Sequence, residues 1–244
     1  MASARAARTT FVSLALALSV SPALAEQRDR ARMLGEIKGL SEQLDRKMRE
    51  FVEPDASDRA AHAAFLAQPQ TGIVRLLPRE ALDGHPALRD GGAYYSFSNL
   101  THEYGSGSDL ELSRGTFSVG FGGADYGVLT VLPDVRLESA TVDHPAVRYL
   151  DSLETPNVEA EARATARKFR RDAVEDKHTF ARTAAARVGS TYALRSVNYG
   201  RSDVLVVFQV TREDTDGSMV ILWKRLQTYP VPRLVREPPP EDVE

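Results

Sequence analysis

The run Thr101-His102-Glu103-Tyr104-Gly105-Ser106-Gly107-Ser108-Asp109-Leu110-Glu111 gathers an imidazole, three carboxylates, a phenol and flexible glycines into one short stretch. His102 or Glu103 could act as a general base, and Asp109 and Glu111 could offer oxygens to a calcium ion. The same composition also describes a solvated loop whose Ser, Gly and Asp are there to make turns. His102, Glu103, Tyr104, Asp109 and Glu111 are therefore the candidate binding residues, and no residue stands out as a catalyst.

Motifs that would fix a chemistry fail on inspection. His102-Glu103 begins like the helical zinc motif His-Glu-x-x-His, but Ser106 takes the fifth position and two glycines oppose a helix. Gly120-Phe121-Gly122-Gly123-Ala124-Asp125 has Asp where a dinucleotide fingerprint needs its last glycine, which points to a bulged turn. Asp214-Thr215-Asp216-Gly217 lacks the distal glutamate of a calcium loop and reads as a hairpin turn. The chain contains no Gly-x-Ser-x-Gly elbow, no Ser-x-x-Lys and no phosphate-binding Gly-x-x-x-x-Gly-Lys-Ser/Thr. A dispersed triad could still draw on His62, His85, His102, His144 and His178. No cofactor and no metal are expected.

The chain has no cysteine, which excludes disulfides, thiolate catalysis and cysteine zinc sites. Its net charge of −3 gives no global attraction for nucleic acid. Arg167, Lys168, Arg170 and Arg171 form one local basic patch. It complements a helix C-terminus by default, with anionic polymer or lipid headgroups as the functional alternative.

Residues 1–25 supply an address. Arg5 and Arg8 precede the apolar run from Phe11 to Val20, and Ala23-Leu24-Ala25 follows. This order predicts a signal peptide removed after Ala25 and a periplasmic or extracellular destination. The apolar run is too short to cross a ~30 Å hydrocarbon core, and no later stretch is long enough either.

The elements that must position the candidate loop follow from periodicity. Met33, Ile37, Leu40, Leu44, Met48 and Phe51 recur at helical spacing, predicting a helix over 28–52 with one apolar stripe. Self-association could use that stripe. A break at Glu53-Pro54-Asp55 and a second short helix complete a helical hairpin over 26–68.

An α+β domain is expected over 69–229, with strands at 73–77, 93–97, 109–112, 116–121, 127–132 and 135–142, and Arg114-Gly115 as a tight turn. Thr155-Pro156 opens one packing helix to about Ala173. A three-stranded meander follows at 190–199, 203–212 and 218–228. Residues 230–244, rich in proline and acid, are expected to be a disordered tail.

The fold class is thus α+β: an N-terminal helical hairpin, a curved antiparallel sheet with a C-terminal meander, and one packing helix. Tyr192, Tyr199, Phe208 and Trp223 are expected near the surface of the meander, where a curled sheet could hold an apolar ligand. The expected function is a non-catalytic binding or scaffold module for an unknown protein partner or an apolar small molecule. A secreted hydrolase with a dispersed His/carboxylate site is the alternative.

Overall fold

The computed structural model describes residues 22–82, 91–102, 104–105 and 107–235. The apolar run at Phe11 to Val20, His85, Glu103 and the tail beyond 235 lie outside the described residues. The chain divides into a unit up to Lys47 and a larger unit from Met48.

Helix α1 runs over Pro22–Val52, so it extends through the junction expected at Ala25. It exposes Met33, Leu34, Ile37 and Leu40. Among the described residues no helix is long and apolar enough to cross a membrane.

In the larger unit, the expected second helix is two short pieces, α2 (Ala56–Ala61) and α3 (Ala63–Leu66), meeting at His62. His62 departs from right-handed helical geometry (φ −112°, ψ 19°), which separates the two pieces.

The fold is α+β, built on a five-stranded antiparallel sheet in the order β1 (Thr71–Leu76), β11 (Met219–Thr228), β10 (Ser202–Glu213), β9 (Thr191–Asn198), β5 (Tyr126–Leu132). The expected meander is its centre. Strand β10 is apolar on both sides because both sides are covered. Leu205 and Val207 face one core with helix α4 (Pro145–Asp151), and Val204, Val206, Phe208 and Val210 face the other.

That second core is closed by a smaller sheet, β2 (Tyr94–Tyr95), β3 (Leu110–Ser113), β4 (Thr116–Ser118) and β8 (Thr183–Ala185). The Gly-rich region thus forms a second sheet packed on the first. Tyr192, Phe208 and Trp223 are buried between the sheets, with Phe117 edge-on to both Tyr192 and Phe208 at 5.3 Å. These aromatics fill the interior where a surface position had been expected, because a second sheet covers the meander.

Arg114 and Gly115 both adopt positive φ, the turn geometry a β3–β4 hairpin requires. Other boundaries move. Residues 135–142 form a short 3-10 turn at Leu137–Ser139 in place of a strand. The packing helix α5 is shorter than expected (Glu159–Lys168), and Ala173 belongs instead to β6 (Ala173–Glu175), which pairs with β7 (His178–Phe180). Helix α4 had no sequence signal beyond His144-Pro145, where the imidazole Nδ1 accepts from the Ala146 amide at 3.3 Å.

The segment 230–235 is tied down. Gly200 N–H donates to the Pro232 carbonyl at 2.7 Å, and Val235 N–H to that of Asn157 at 2.6 Å.

Candidate functional site

The candidate loop descends into β3, with Asp109 just before the strand and Glu111 inside it. Asp109 ends the loop one residue before β3 and is fully buried. Its Oδ1 accepts from Ser196 Oγ at 2.6 Å and Asn198 Nδ2 at 2.8 Å, and its Oδ2 accepts from Phe97 N–H at 2.7 Å. Asn198 also donates toward Ser202 Oγ at 3.3 Å and the Gly107 carbonyl at 3.4 Å. Burial pushes the Asp109 carboxyl up to about 6, against the opposing pull of these donors. Ser196, Asn198 and Ser202 carried no motif. Their only sequence signal is polarity at positions 196, 198 and 202 of strands whose other residues on that face are apolar.

Glu111 points elsewhere. Tyr94 Oη donates to its Oε1 at 2.7 Å, and Arg79 Nη1 approaches the same oxygen at 3.4 Å. The Tyr94 ring in turn lies 4.7 Å from that of Tyr104 and 5.2 Å from that of Phe121.

His102 stacks edge-on to Tyr95 at 5.2 Å, with the Gly92 and Tyr94 carbonyls as hydrogen-bond partners. Desolvation pushes its imidazole down to about 4, so it is neutral at pH 7. Among the described residues its Nδ1 has no partner, and the same holds for the neighbouring Ser98 and Thr101 hydroxyls. The loop therefore disperses its chemistry. Asp109 serves the space between the sheets, Glu111 serves Tyr94, and His102 serves the 92–95 backbone. Glu103 lies outside the described residues.

Tyr104 alone of the described candidates is exposed, at 48%. It lines a cleft of about 170 Å³ with Phe121, Asp125, Asn198 and Arg201. Gly120 makes this corner possible. Its φ of +75° belongs to glycine, and a Cβ there would meet the Gly127 amide nitrogen at 2.8 Å. Asp125 Oδ1 accepts from Tyr199 N–H at 2.8 Å; burial raises its pKa while Arg201 pulls it down. Arg201 sits at the rim, exposed.

A second polar centre lies on the opposite face of β9 and was not anticipated. Arg195 and Asp203 form a bidentate ion pair at 2.5 and 2.9 Å, each side chain no more than 3% exposed. Arg195 Nη1 also donates to the Leu150 carbonyl at 3.2 Å, capping α4, and the Tyr229 ring lies 3.3 Å from its guanidinium carbon. Thr155 Oγ1 adds a bond to Asp203 Oδ2 at 2.8 Å. A third centre joins Arg75 and Arg212 to Asp55, Asp58, Asp214 and Asp216. The acidic hairpin turn at 214–217 is thus a clamp, with Asp214 held below its usual pKa chiefly by its bond from Arg212.

Among the described residues no group of three or more histidines and carboxylates could hold a metal ion. Comparison with protein-family models, with curated proteins and with solved structures returned no match.

Proposed function

We propose that this chain is an exported, non-catalytic binding module whose Tyr104–Arg201 cleft receives a side chain of a protein partner. What carries the reading is how Asp109, Glu111 and His102 are used: each is bound into the fold by tyrosine, serine, asparagine or main-chain groups. A nucleophile–base pair of the kind hydrolysis requires finds no support in those bonds. The cleft itself is too small for a drug-sized or lipid-like ligand, which needs at least ~300 Å³. It pairs exposed tyrosine and arginine, the residue types that most often anchor protein interfaces. Export rests on the order of basic, apolar and small residues in the first 25 positions.

The test is a photo-reactive residue at position 104 in the full-length protein in its native cells. A discrete adduct that disappears with Arg201→Glu is expected, together with a mature N-terminus at Glu26. Adduct formation indifferent to position 201 would contradict the assignment of the cleft.

A second reading, self-association through the helix, is favoured by the exposure of Ile37 at 62% and Leu40 at 64%. Sedimentation velocity would show a dimer that Leu40→Lys dissociates; a monomer at high concentration would dismiss it.

A further inference from the structure

Four cations cluster at the end of α5. Arg75, Arg195 and Arg212 are each held by carboxylates. Arg167, Lys168, Arg170 and Arg171 are all exposed and, among the described residues, make no side-chain hydrogen bond or ion pair. Lys168 only rests over the Phe169 ring, 5.3 Å from its centre. Capping of the helix carbonyls therefore does not account for them, and Arg170 and Arg171 lie beyond the helix end at Lys168. Arg170 presses on the neighbouring Arg182, whose pKa is lowered by burial and then by that like charge. In a chain of net charge −3, four such cations are held together against mutual repulsion.

Their surroundings indicate what they bind. Among the described residues these four side chains line an open cleft of about 420 Å³, with no hydroxyl, amide or aromatic group to orient one particular anion. Val174, three residues on, is 69% exposed. A set of long, unoriented cations beside an exposed apolar residue suits a surface of many anionic headgroups better than a single phosphate ester.

We propose that Arg167, Lys168, Arg170 and Arg171 form an electrostatic docking patch for an anionic phospholipid bilayer. The choice of lipid over nucleic acid rests on the export reading. The binding is weak and reversible, since four cations without a second anchor support only peripheral attachment.

The test is co-sedimentation of the full chain with phosphatidylcholine vesicles, with and without a one-third share of phosphatidylglycerol. Binding to the anionic vesicles alone is expected, and it should be lost in 1 M salt, where the screening length falls to about 3 Å. Arg170→Glu with Arg171→Glu should weaken partitioning by at least about 25-fold, at roughly fivefold per cation removed. Arg136→Glu with Arg233→Glu, the same change in net charge elsewhere, should leave the patch-specific part intact. Equal loss in both double variants would overturn the patch. Binding to duplex DNA without binding to anionic vesicles would overturn the lipid assignment, as would no binding to either. A cytoplasmic protein with an intact N-terminus would instead overturn export alone, which N-terminal sequencing reads separately.

Discussion

The Ser196 hydroxyl donates to Asp109 Oδ1 at 2.6 Å and so bonds strand β9 to the residue that leads into strand β3 of the facing sheet. The carboxylate also receives Asn198 Nδ2 and Phe97 N–H and, among the described residues, forms no ion pair. The most reactive-looking residue of the candidate loop is thereby a joint between two layers of the fold.

Asp109→Ala should strand three buried donors at once. A loss of about 2–4 kcal/mol is expected, which lowers Tm by on the order of 10 °C in a chain of this size. Ser196→Ala, which removes one donor and leaves the others paired, should cost about 1 kcal/mol. Thermal melts of the two variants decide it; an unchanged Tm for Asp109→Ala would deny the joint its role.

Two groups of the same loop should oppose each other in acid. Asp109 is raised to about 6, so its contribution to stability is full below the unfolded carboxyl pKa and fades as pH rises through about 6. His102 is lowered to about 4, so its contribution is full above the unfolded imidazole pKa and fades as pH falls toward 4. Their slopes carry opposite signs between pH 4 and 6 and largely cancel in the native protein. Urea midpoints across that window should therefore rise with pH in Asp109→Asn and fall with pH in His102→Gln. Asp125 adds to the Asp109 slope and His144 to that of His102, each by a smaller shift. Identical profiles for both variants would contradict the assignment.

Arg195→Met should be among the most damaging single changes, because it leaves Asp203 charged and buried. Breaking such a pair costs about 3–5 kcal/mol. Arg195→Met with Asp203→Leu should recover part of that loss, as the pair is then replaced by apolar volume. A double variant as unstable as the single one would show that the bonds to Leu150 and the stack on Tyr229 carry the effect.

Gly72→Ala tests the cross-strand packing of β1 on β11, where Gly72 lies opposite Trp223. A Cβ at Gly72 would lie 2.4 Å from the Trp223 ring, so either strand β1 or the indole must move. Overpacking of this kind costs about 1–3 kcal/mol. Trp223 is the sole tryptophan, so its fluorescence reports the displacement directly. An unshifted emission with an unchanged Tm would contradict the close approach.

The sequence and the structure agree where one physical signal dominates. Alternating Val204 to Val210 marked β10 as a strand covered on both sides, and Arg114-Gly115 marked the β3–β4 turn. Strands β2, β3 and β4 were legible at 93–97, 109–112 and 116–121, but not that they leave the meander's sheet and pair with the three-residue β8 to form a second sheet facing it, because sheet partnership is a tertiary property. That omission also misplaced Trp223 and Phe208 at a surface. At the candidate loop, the types of residue were legible but their directions were not. The register of Tyr94 opposite Glu111, and the pairing of Asp109 with a strand more than 80 residues later, depend on tertiary contacts that no local pattern encodes. The Arg195–Asp203 pair was hidden for the same reason, since two charges in apolar strands look like solvent-facing positions until helix α4 covers them.

The central proposal, that the Tyr104–Arg201 cleft seats a protein partner, is tested most directly by the affinity of the partner recovered by crosslinking at position 104. Titration calorimetry should show Arg201→Ala weakening that affinity on the order of thirtyfold, as expected for a central interface anchor, while the melting temperature is unchanged. An affinity within twofold of the native protein's would contradict the account.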